Sequence, residues 1–414
     1  MKRNLYTVAL IMLTFFVISF LTNVIGPLIP DIIKGFNLNL TLVALLPFAF
    51  FIAYGVMSIP SGMLIEKYKE KKIMIAAFVV AFCGSLLLAF VPNYLTAVLS
   101  LFLIGCGMAM LQVVINPLLR TSGGEEHYAF NSVLAQLIFG LASFLSPLVY
   151  SYMVSRLQKG DGSGFFQKLV PPSLPWISLY WLFAVVCFAM ILVIAASHFP
   201  RVELSTEEKA GPWKTHIELF KKPIVVLFFI AMMCYVGTEQ GVANWISQFL
   251  STYHGYDPQT TGAQNVAYFW GLMTAGGVVG LLLLKIMDSR KVLISFTILA
   301  LACLTAALFG TAKMALVAFP LVGFFASVMY PIIFSLALNS VTEHHGSFSG
   351  IIVTGIIGGA IVPLIIGWLG DHLGLRIGML FLYLTMGYIL SIGFWAKPII
   401  TNKTVKLFDK KERT

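Results

Sequence analysis

The chain has 414 residues, of which 59% are hydrophobic and only 11% are charged. Soluble globular domains are about 45–50% apolar and about 25% charged, so a soluble core would not bury this much apolar surface. The composition therefore indicates a membrane protein, for which lipid is the solvent. The net charge of +10 would suit a nucleic-acid-binding protein. The basic residues, however, stand in short clusters between apolar runs rather than on one face, which argues against nucleic-acid binding.

Apolar stretches long enough to cross about 30 Å of hydrocarbon recur along the whole chain. In chain order the predicted spans are 5–33, 41–65, 73–91, 94–119, 128–155, 176–198, 222–252, 262–286, 291–310, 314–340, 347–370 and 377–397. We therefore predict an all-α membrane fold with twelve transmembrane helices in two pseudo-symmetric six-helix bundles.

Charge sets the predicted orientation and the domain boundaries. With the N-terminus inside, 21 Lys and Arg residues fall on the cytoplasmic side and 6 on the opposite side, the bias expected for cytoplasmic loops. We expect a multi-pass protein of the inner membrane with both termini cytoplasmic. Its parts are an N-terminal bundle over 1–198, a cytoplasmic linker over 199–221, a C-terminal bundle over 222–398 and a cytoplasmic tail over 399–414.

A glycine followed by charged residues closes the second predicted span, and related turns follow two later spans. The first copy runs Gly62-Met63-Leu64-Ile65-Glu66-Lys67 and ends at Lys71-Lys72, the second begins at Gly280, and the third runs from Gly367 through Asp371 to Arg376. Glycine lets neighbouring helices approach closely. The first copy resembles the signature loop of the major facilitator superfamily. That resemblance implies alternating access between two bundles around a midplane site, with Gly62, Glu66, Lys67 and Lys71 as a conformational motif.

Several other stretches resemble the fucose/glucose/galactose-type sugar transporters of that superfamily, most distinctively the regions around Asn116-Pro117 and Glu239. The resemblance implies a monosaccharide substrate, a hexose, and a monomer. The chain also departs from the pattern. Proton-coupled members place acids where this sequence has Gly26 and Gln112, and glutamine does not titrate. Coupling to H⁺, coupling to Na⁺ and uniport all stay open at this stage.

Glu239 is an acid well inside the seventh predicted span, between Gly237 and Gly241. A carboxylate in hydrocarbon costs about 3 kcal/mol on insertion scales, so it should face the bundle interior. Its predicted role is ion coupling or acceptance of hydrogen bonds from sugar hydroxyls, and the alternative is a structural acid satisfied by neighbouring helices. Asp31, at the outer end of the first span, is interpreted as an interfacial acid.

Amide and aromatic side chains recur at helical spacing, a pattern that suits a sugar because amides pair with hydroxyls and rings stack on apolar sugar faces. The same amides also bridge helices in other membrane proteins. The predicted substrate-binding residues are Asn23, Gln112, Asn116, Gln136, Gln240, Asn244, Trp245, Gln264 and Tyr268.

The sequence predicts a transporter and not an enzyme, because interior acids are few and no histidine lies at mid-depth to build a catalytic or metal constellation. The five cysteines form no CxxC pair, so neither a zinc site nor a disulfide framework is predicted. No cofactor is expected beyond a coupling ion, and the partners are a small solute and the lipid bilayer. A carrier or exporter of another polar or amphipathic solute is the rival function.

Overall fold

The computed structural model describes residues 4–123, 127–159, 169–197, 199, 213–341 and 345–397, and it is all helical there. The predicted tail over 399–414 and most of the predicted linker lie outside the described residues. Twelve helical segments are long and apolar enough to span a membrane, which confirms the predicted number. The first six are Leu5–Thr22 with Ile25–Phe36, Leu40–Tyr68, Glu70–Phe90, Tyr94–Gly123, Tyr128–Gln158, and Pro175–Ile177 with Ser178–Ala196.

The second six spans are built in the same way, with more interruptions. They are Pro223–His254, Pro258–Gly262 with Ala263–Leu284, Ser289–Phe309, Ala312–Ala326 with Met329–Leu338, His345–Thr354 with Gly355–Ile357 and Gly358–Leu373, and Leu375–Met379 with Phe381–Trp395. A short helix, Trp213–Phe220, precedes the seventh span. It packs on the second half of the chain through the Phe220 and Phe229 rings, whose centroids are 5.5 Å apart.

Prolines explain the interruptions in two spans. Proline has no N–H and leaves the carbonyl four residues earlier without its helical donor. The first span breaks at Asn23, four residues before Pro27, and the tenth breaks at Ser327, four residues before Pro331. The fourth span, by contrast, continues through Pro117 to Gly123.

A third proline shows how a freed carbonyl is satisfied by a neighbouring helix. Pro320 lies inside the tenth span, and the carbonyl four residues before it belongs to Leu316. The Asn265 side chain of the eighth span donates to that carbonyl at 2.7 Å. This amide therefore joins two helices of the second half, the structural use of buried amides in membranes.

The two halves approach each other most closely at one side of the molecule. We call the side where Leu5 begins the first span proximal, and the opposite side distal. Close approaches run from the distal surface, where Gly367 meets Leu40, to mid-depth, where Gly359 meets Phe51. Nearer the proximal side, a Cβ added at Gly62 or Gly277 would meet nothing within 4 Å. The close approaches between the halves thus lie at the distal surface and around mid-depth, and the distal side is the closed one.

Gly26 is one position where the closed side requires glycine. It lies in the distal half of the first span, and a Cβ added there would overlap the backbone carbonyl oxygen of Ala243 in the seventh span. Because the obstacle is backbone, it has no rotamer by which to move aside. The absence of a side chain at Gly26 therefore lets the first and seventh spans touch through their main chains.

Candidate solute-binding and coupling site

Glu239 lies halfway along the seventh span and its side chain is only partly exposed. Its Oε2 accepts a hydrogen bond from the Tyr235 hydroxyl at 2.6 Å, and its Oε1 accepts one from the Gln240 amide at 3.1 Å. Both donors are neutral, and no cationic partner is found for this carboxylate within the described ranges. Glu239 is therefore a mid-membrane carboxyl group with oxygen lone pairs available to a proton or to a hydroxyl group.

An aromatic pair on the tenth span lies beside this carboxyl group. The Tyr235 and Tyr330 ring centroids are 5.8 Å apart, and the Tyr330 and Phe334 rings are stacked at 6.0 Å with an interplanar angle of 13°. Tyr330 and Phe334 are both partly exposed. The arrangement combines ring faces with a carboxylate acceptor, which is a suitable combination for a ligand with an apolar face and hydroxyl groups.

Sequence reasoning missed Tyr235, Tyr330 and Phe334, although a signal for two of them exists. Tyr330 follows Gln112, and Phe334 follows Asn116, by the same number of residues by which Gly280 follows Gly62. The two repeats therefore place an amide pair on the fourth span and an aromatic pair on the tenth span at corresponding positions.

Gln112 and Asn116 lie on one face of the fourth span, one turn apart. Gln112 is partly exposed and Asn116 is exposed, and the Asn116 amide donates to the Gln112 carbonyl at 3.2 Å. This hydrogen bond uses the backbone carbonyl of Gln112 and not its side chain. Gln136 on the fifth span is also exposed. All three amides are accessible in this conformation, as the predicted role in solute binding requires.

Both predicted amides of the seventh span, Gln240 and Asn244, are buried. Gln240 is buried, donates to Glu239, and lies against Gly359 of the eleventh span. Asn244 is buried beside Gly26, and its Nδ2 has no partner within the described part of the chain. An unpaired buried amide is costly, so this donor is a candidate for a bond formed in another conformation.

Trp245 does not fit its predicted stacking role in this conformation. The side chain is fully buried, and its indole N–H donates to the Pro363 carbonyl of the eleventh span at 3.3 Å. Trp245 therefore joins two helices of the second half. Helical spacing alone did not indicate that its face points into the bundle.

Asn23 also has a structural explanation. The residue is buried at the break of the first span, and its Nδ2 donates to Ser143 Oγ at 2.9 Å and to Ser19 Oγ at 3.3 Å. Ser19 in turn donates to the Phe139 carbonyl at 2.5 Å. These bonds attach the break to the fifth span, so Asn23 is committed to helix packing in this conformation.

Gln264 and Tyr268 lie on the outer face of the eighth span, contrary to the prediction that they line the solute path. They begin a stripe at helical spacing that is exposed or partly exposed along the whole span: Gln264, Tyr268, Leu272, Ala275, Val279 and Leu282. On the proximal side of Tyr268 this stripe is wholly apolar, as a lipid-facing surface should be. Trp270, on the opposite face of the same helix, is the aromatic residue that points inward and is buried.

Replacing Gln264 with alanine and Tyr268 with leucine is expected to leave the KM of the predicted uptake within about twofold of the parent, because surface positions contribute little. The matched change, Asn116→Ala, removes an accessible amide from the fourth span and should raise KM. The measurement is initial-rate uptake in proteoliposomes. A tenfold rise in KM for Gln264→Ala would show instead that Gln264 contacts the solute.

The signature loop connects helices within the first half. The Lys71 ammonium donates to the carbonyls of Ala195 and Ser197 at 2.7 and 2.8 Å, at the end of the sixth span. Lys67 is exposed and lies 5.2 Å from the centroid of the Tyr68 ring. The Glu66 side chain lies outside what the structure describes. Gly62 has open space around it on the proximal side, so the loop has no close contact at this glycine.

Two other features are not candidates for the site. A cleft of about 310 Å³ between the first, fifth and sixth spans is lined wholly by apolar residues, among them Phe16, Phe20 and Val186, and offers no hydrogen bonds to a polar solute. Within the described ranges, no cluster of three His, Cys, Asp or Glu residues is placed to hold a metal ion.

Comparisons with known proteins agree with this architecture. A family profile described as Major Facilitator Superfamily matches residues 11–363. A glucose/galactose transporter of Brucella abortus biovar 1 (strain 9-941) is 30% identical over 92% of each chain. The L-fucose-proton symporter of Escherichia coli K12 is 26% identical over 88% of this chain and 87% of its own. A crystal structure of the E. coli fucose:proton symporter superposes with a TM-score of 0.68 at 22% identity, covering 96% of this chain and 100% of that one. This chain, with its twelve spans in two halves, belongs to the major facilitator superfamily.

Proposed function

We propose that this protein is a secondary active transporter that moves a monosaccharide, a hexose, across the inner membrane by alternating access, coupled to protons. The observation that carries the proposal is the mid-membrane Glu239, with neutral hydrogen-bond donors and a stacked aromatic pair beside it. The names of the relatives, a glucose/galactose transporter and an L-fucose-proton symporter, support the same substrate class and the same ion.

Sugar recognition follows from the chemistry of the two halves. A pyranose has C–H groups that pack on ring faces and hydroxyl groups that need donors and acceptors. The tenth span offers Tyr330 and Phe334 for the former, and Glu239 offers an acceptor for the latter. Gln112 and Asn116 occupy the corresponding positions of the fourth span and provide amides. A sugar between the two halves would contact both bundles, which lets binding bias their relative position.

Coupling is assigned to Glu239 because the other expected positions lack acids. Gln112 cannot titrate, and an acid at Gly26 would overlap the seventh-span backbone in the distally closed state. In the proposed cycle, Glu239 takes up a proton and the sugar binds while the site is open to the outside. The halves then close distally, and sugar and proton leave through the proximal opening. A neutral Glu239 lowers the electrostatic cost of moving this site between environments.

The remaining proposals concern topology and assembly. The proximal side is cytoplasmic, as the distribution of Lys and Arg predicts, and both termini lie there. The segment 199–221 is a cytoplasmic linker that connects the two halves in the chain, and the protein works as a monomer surrounded by lipid. Uniport is the second candidate, because Gly26 and Gln112 stand where proton-coupled members have acids.

Uptake of labelled glucose, galactose and fucose into proteoliposomes tests the proposal. We expect one of these sugars to accumulate above its external concentration under an inward proton gradient, but not under a sodium gradient alone. Equilibration without accumulation would establish the uniporter. Movement of none of the three sugars, in vesicles with verified protein insertion, would overturn the sugar assignment.

A further inference from the structure

Asp371 connects the two halves at their distal ends. It lies near the end of the eleventh span, and its Oδ1 accepts the Leu40 backbone N–H at 2.8 Å. Its Oδ2 accepts the Thr41 backbone N–H at 2.8 Å and the Thr41 hydroxyl at 2.5 Å. Leu40 and Thr41 are the first two residues of the second span, so one carboxylate of the second half makes three hydrogen bonds to the first half.

These bonds satisfy donors that the second span cannot satisfy itself. The first N–H groups of a helix have no partner within that helix. The residue that normally caps this end, Asn39, accepts only the N–H of Leu42. Asp371 takes the two N–H groups that remain nearest the helix end, and its negative charge faces the positive end of the helix dipole. The second span is therefore capped partly by its own residue and partly by the opposite bundle.

The surroundings of this cap show that it requires close approach of the halves. A Cβ added at Gly367 would be 2.6 Å from the Leu40 carbonyl oxygen, so the eleventh span touches the second through its backbone. A second carboxylate crosses in the other direction. Asp31 of the first half accepts from the Gln259 amide of the second half at 2.9 Å, and from Tyr150 at 2.6 Å. Separation of the distal ends would break the three bonds of Asp371 and the bond between Gln259 and Asp31, whereas the bond from Tyr150 lies within the first half.

We propose that Asp371 is the latch of the distal side: its cap on the second span stabilises the distally closed conformation and must be released whenever the site opens distally. The latch requires only the relative position of the halves and is independent of which solute is carried. The third copy of the glycine-and-charge pattern, Gly367 to Arg376, thus has a role at the membrane side opposite to the first copy. Asp371 is exposed, so water competes for its bonds and limits their strength.

The test measures the separation of the distal ends without substrate. Leu95→Cys and Lys313→Cys place spin labels on exposed residues at the distal ends of the fourth and tenth spans, one in each half. The background has the five native cysteines replaced. Asp371→Asn replaces one carboxylate oxygen with an NH₂ group that cannot accept from a backbone N–H. The population with separated distal ends should rise about tenfold, the change expected for the loss of one charge-assisted hydrogen bond.

A matched control changes a capping aspartate that makes no bond between the halves. Asp288 caps the ninth span within its own half, accepting from the Arg290 N–H at 2.9 Å. Asp288→Asn should therefore leave the distance distribution unchanged, and Thr41→Val, which removes one of the three bonds, should give a smaller shift. An unchanged distribution for Asp371→Asn in protein that remains monodisperse would overturn the latch, as would equal shifts for Asp371→Asn and Asp288→Asn.

Discussion

Replacement of Glu239 by glutamine is expected to convert accumulation of the sugar into equilibration. Glutamine keeps the shape of the side chain and an oxygen that accepts from Tyr235, but it cannot carry a proton. The proton gradient would then no longer drive accumulation of the sugar. Because sugar binding does not require a charge, exchange of labelled for unlabelled sugar across the membrane should persist. Affinity should change little, because the protonated Glu239 of the proposed cycle and the glutamine side chain are both neutral.

Two further variants locate this effect at the carboxyl group. Glu218→Gln changes an exposed glutamate on the short helix before the seventh span and should leave accumulation intact. Tyr235→Phe removes the 2.6 Å hydrogen bond to Glu239 while keeping the ring, and should alter the pH at which accumulation is half-maximal. Full accumulation by Glu239→Gln would exclude this residue from coupling and leave it a structural or substrate-binding role.

Gly26→Ala is expected to hold the distal side open and to reduce uptake by about fivefold or more. The added methyl group would overlap the Ala243 carbonyl oxygen, so the first and seventh spans must separate. Overpacking of a well-packed contact costs about 1–3 kcal/mol, which changes the ratio of the two conformations by about 5-fold to about 150-fold. The label pair at positions 95 and 313 measures the separation, and uptake measures the functional loss.

Gly387→Ala is the control for this glycine change. A Cβ added at Gly387, in the twelfth span, would meet nothing within 4 Å, so the variant should match the parent in distance and rate. Normal uptake by Gly26→Ala would show that the first and seventh spans do not need backbone contact for distal closure. Reduced uptake without a change in the distance between the two labels would show that Gly26 affects uptake by some means other than distal closure.

The number of spans was predictable because hydrocarbon requires long apolar helices, and their length is visible in the sequence. The direction in which a helix face points was not. Gln264 and Tyr268 share a face by spacing, yet that face is the outer one, while Trp270 points inward. Periodicity establishes which residues lie together but says nothing about which neighbour they meet, since each helix has both a lipid side and an interior side.

The amides of the candidate site show a second limit. Asn23 and Gln112 are chemically alike, but Asn23 lies where a proline breaks the first span, and it donates to Ser19 of the preceding turn and to Ser143 of the fifth span. Tyr330 and Phe334 were overlooked because aromatic residues at helical spacing are common in any membrane helix. They are distinguished by the contact of Tyr330 with Tyr235, the partner of Glu239, and by the stacking of Phe334 on Tyr330. Such relations between distant spans require the folded arrangement.

Lys71 has a consequence for the order in which the protein is made. Its bonds to Ala195 and Ser197 join the third span to the end of the sixth, and the Tyr6 hydroxyl lies 2.9 Å from the Ser197 hydroxyl. The first and third spans therefore gain these partners only when the sixth has been synthesised and inserted. The N-terminal bundle can then be held to its own last helix before the C-terminal bundle is complete. A nascent chain can thus form one half as a folding unit ahead of the other.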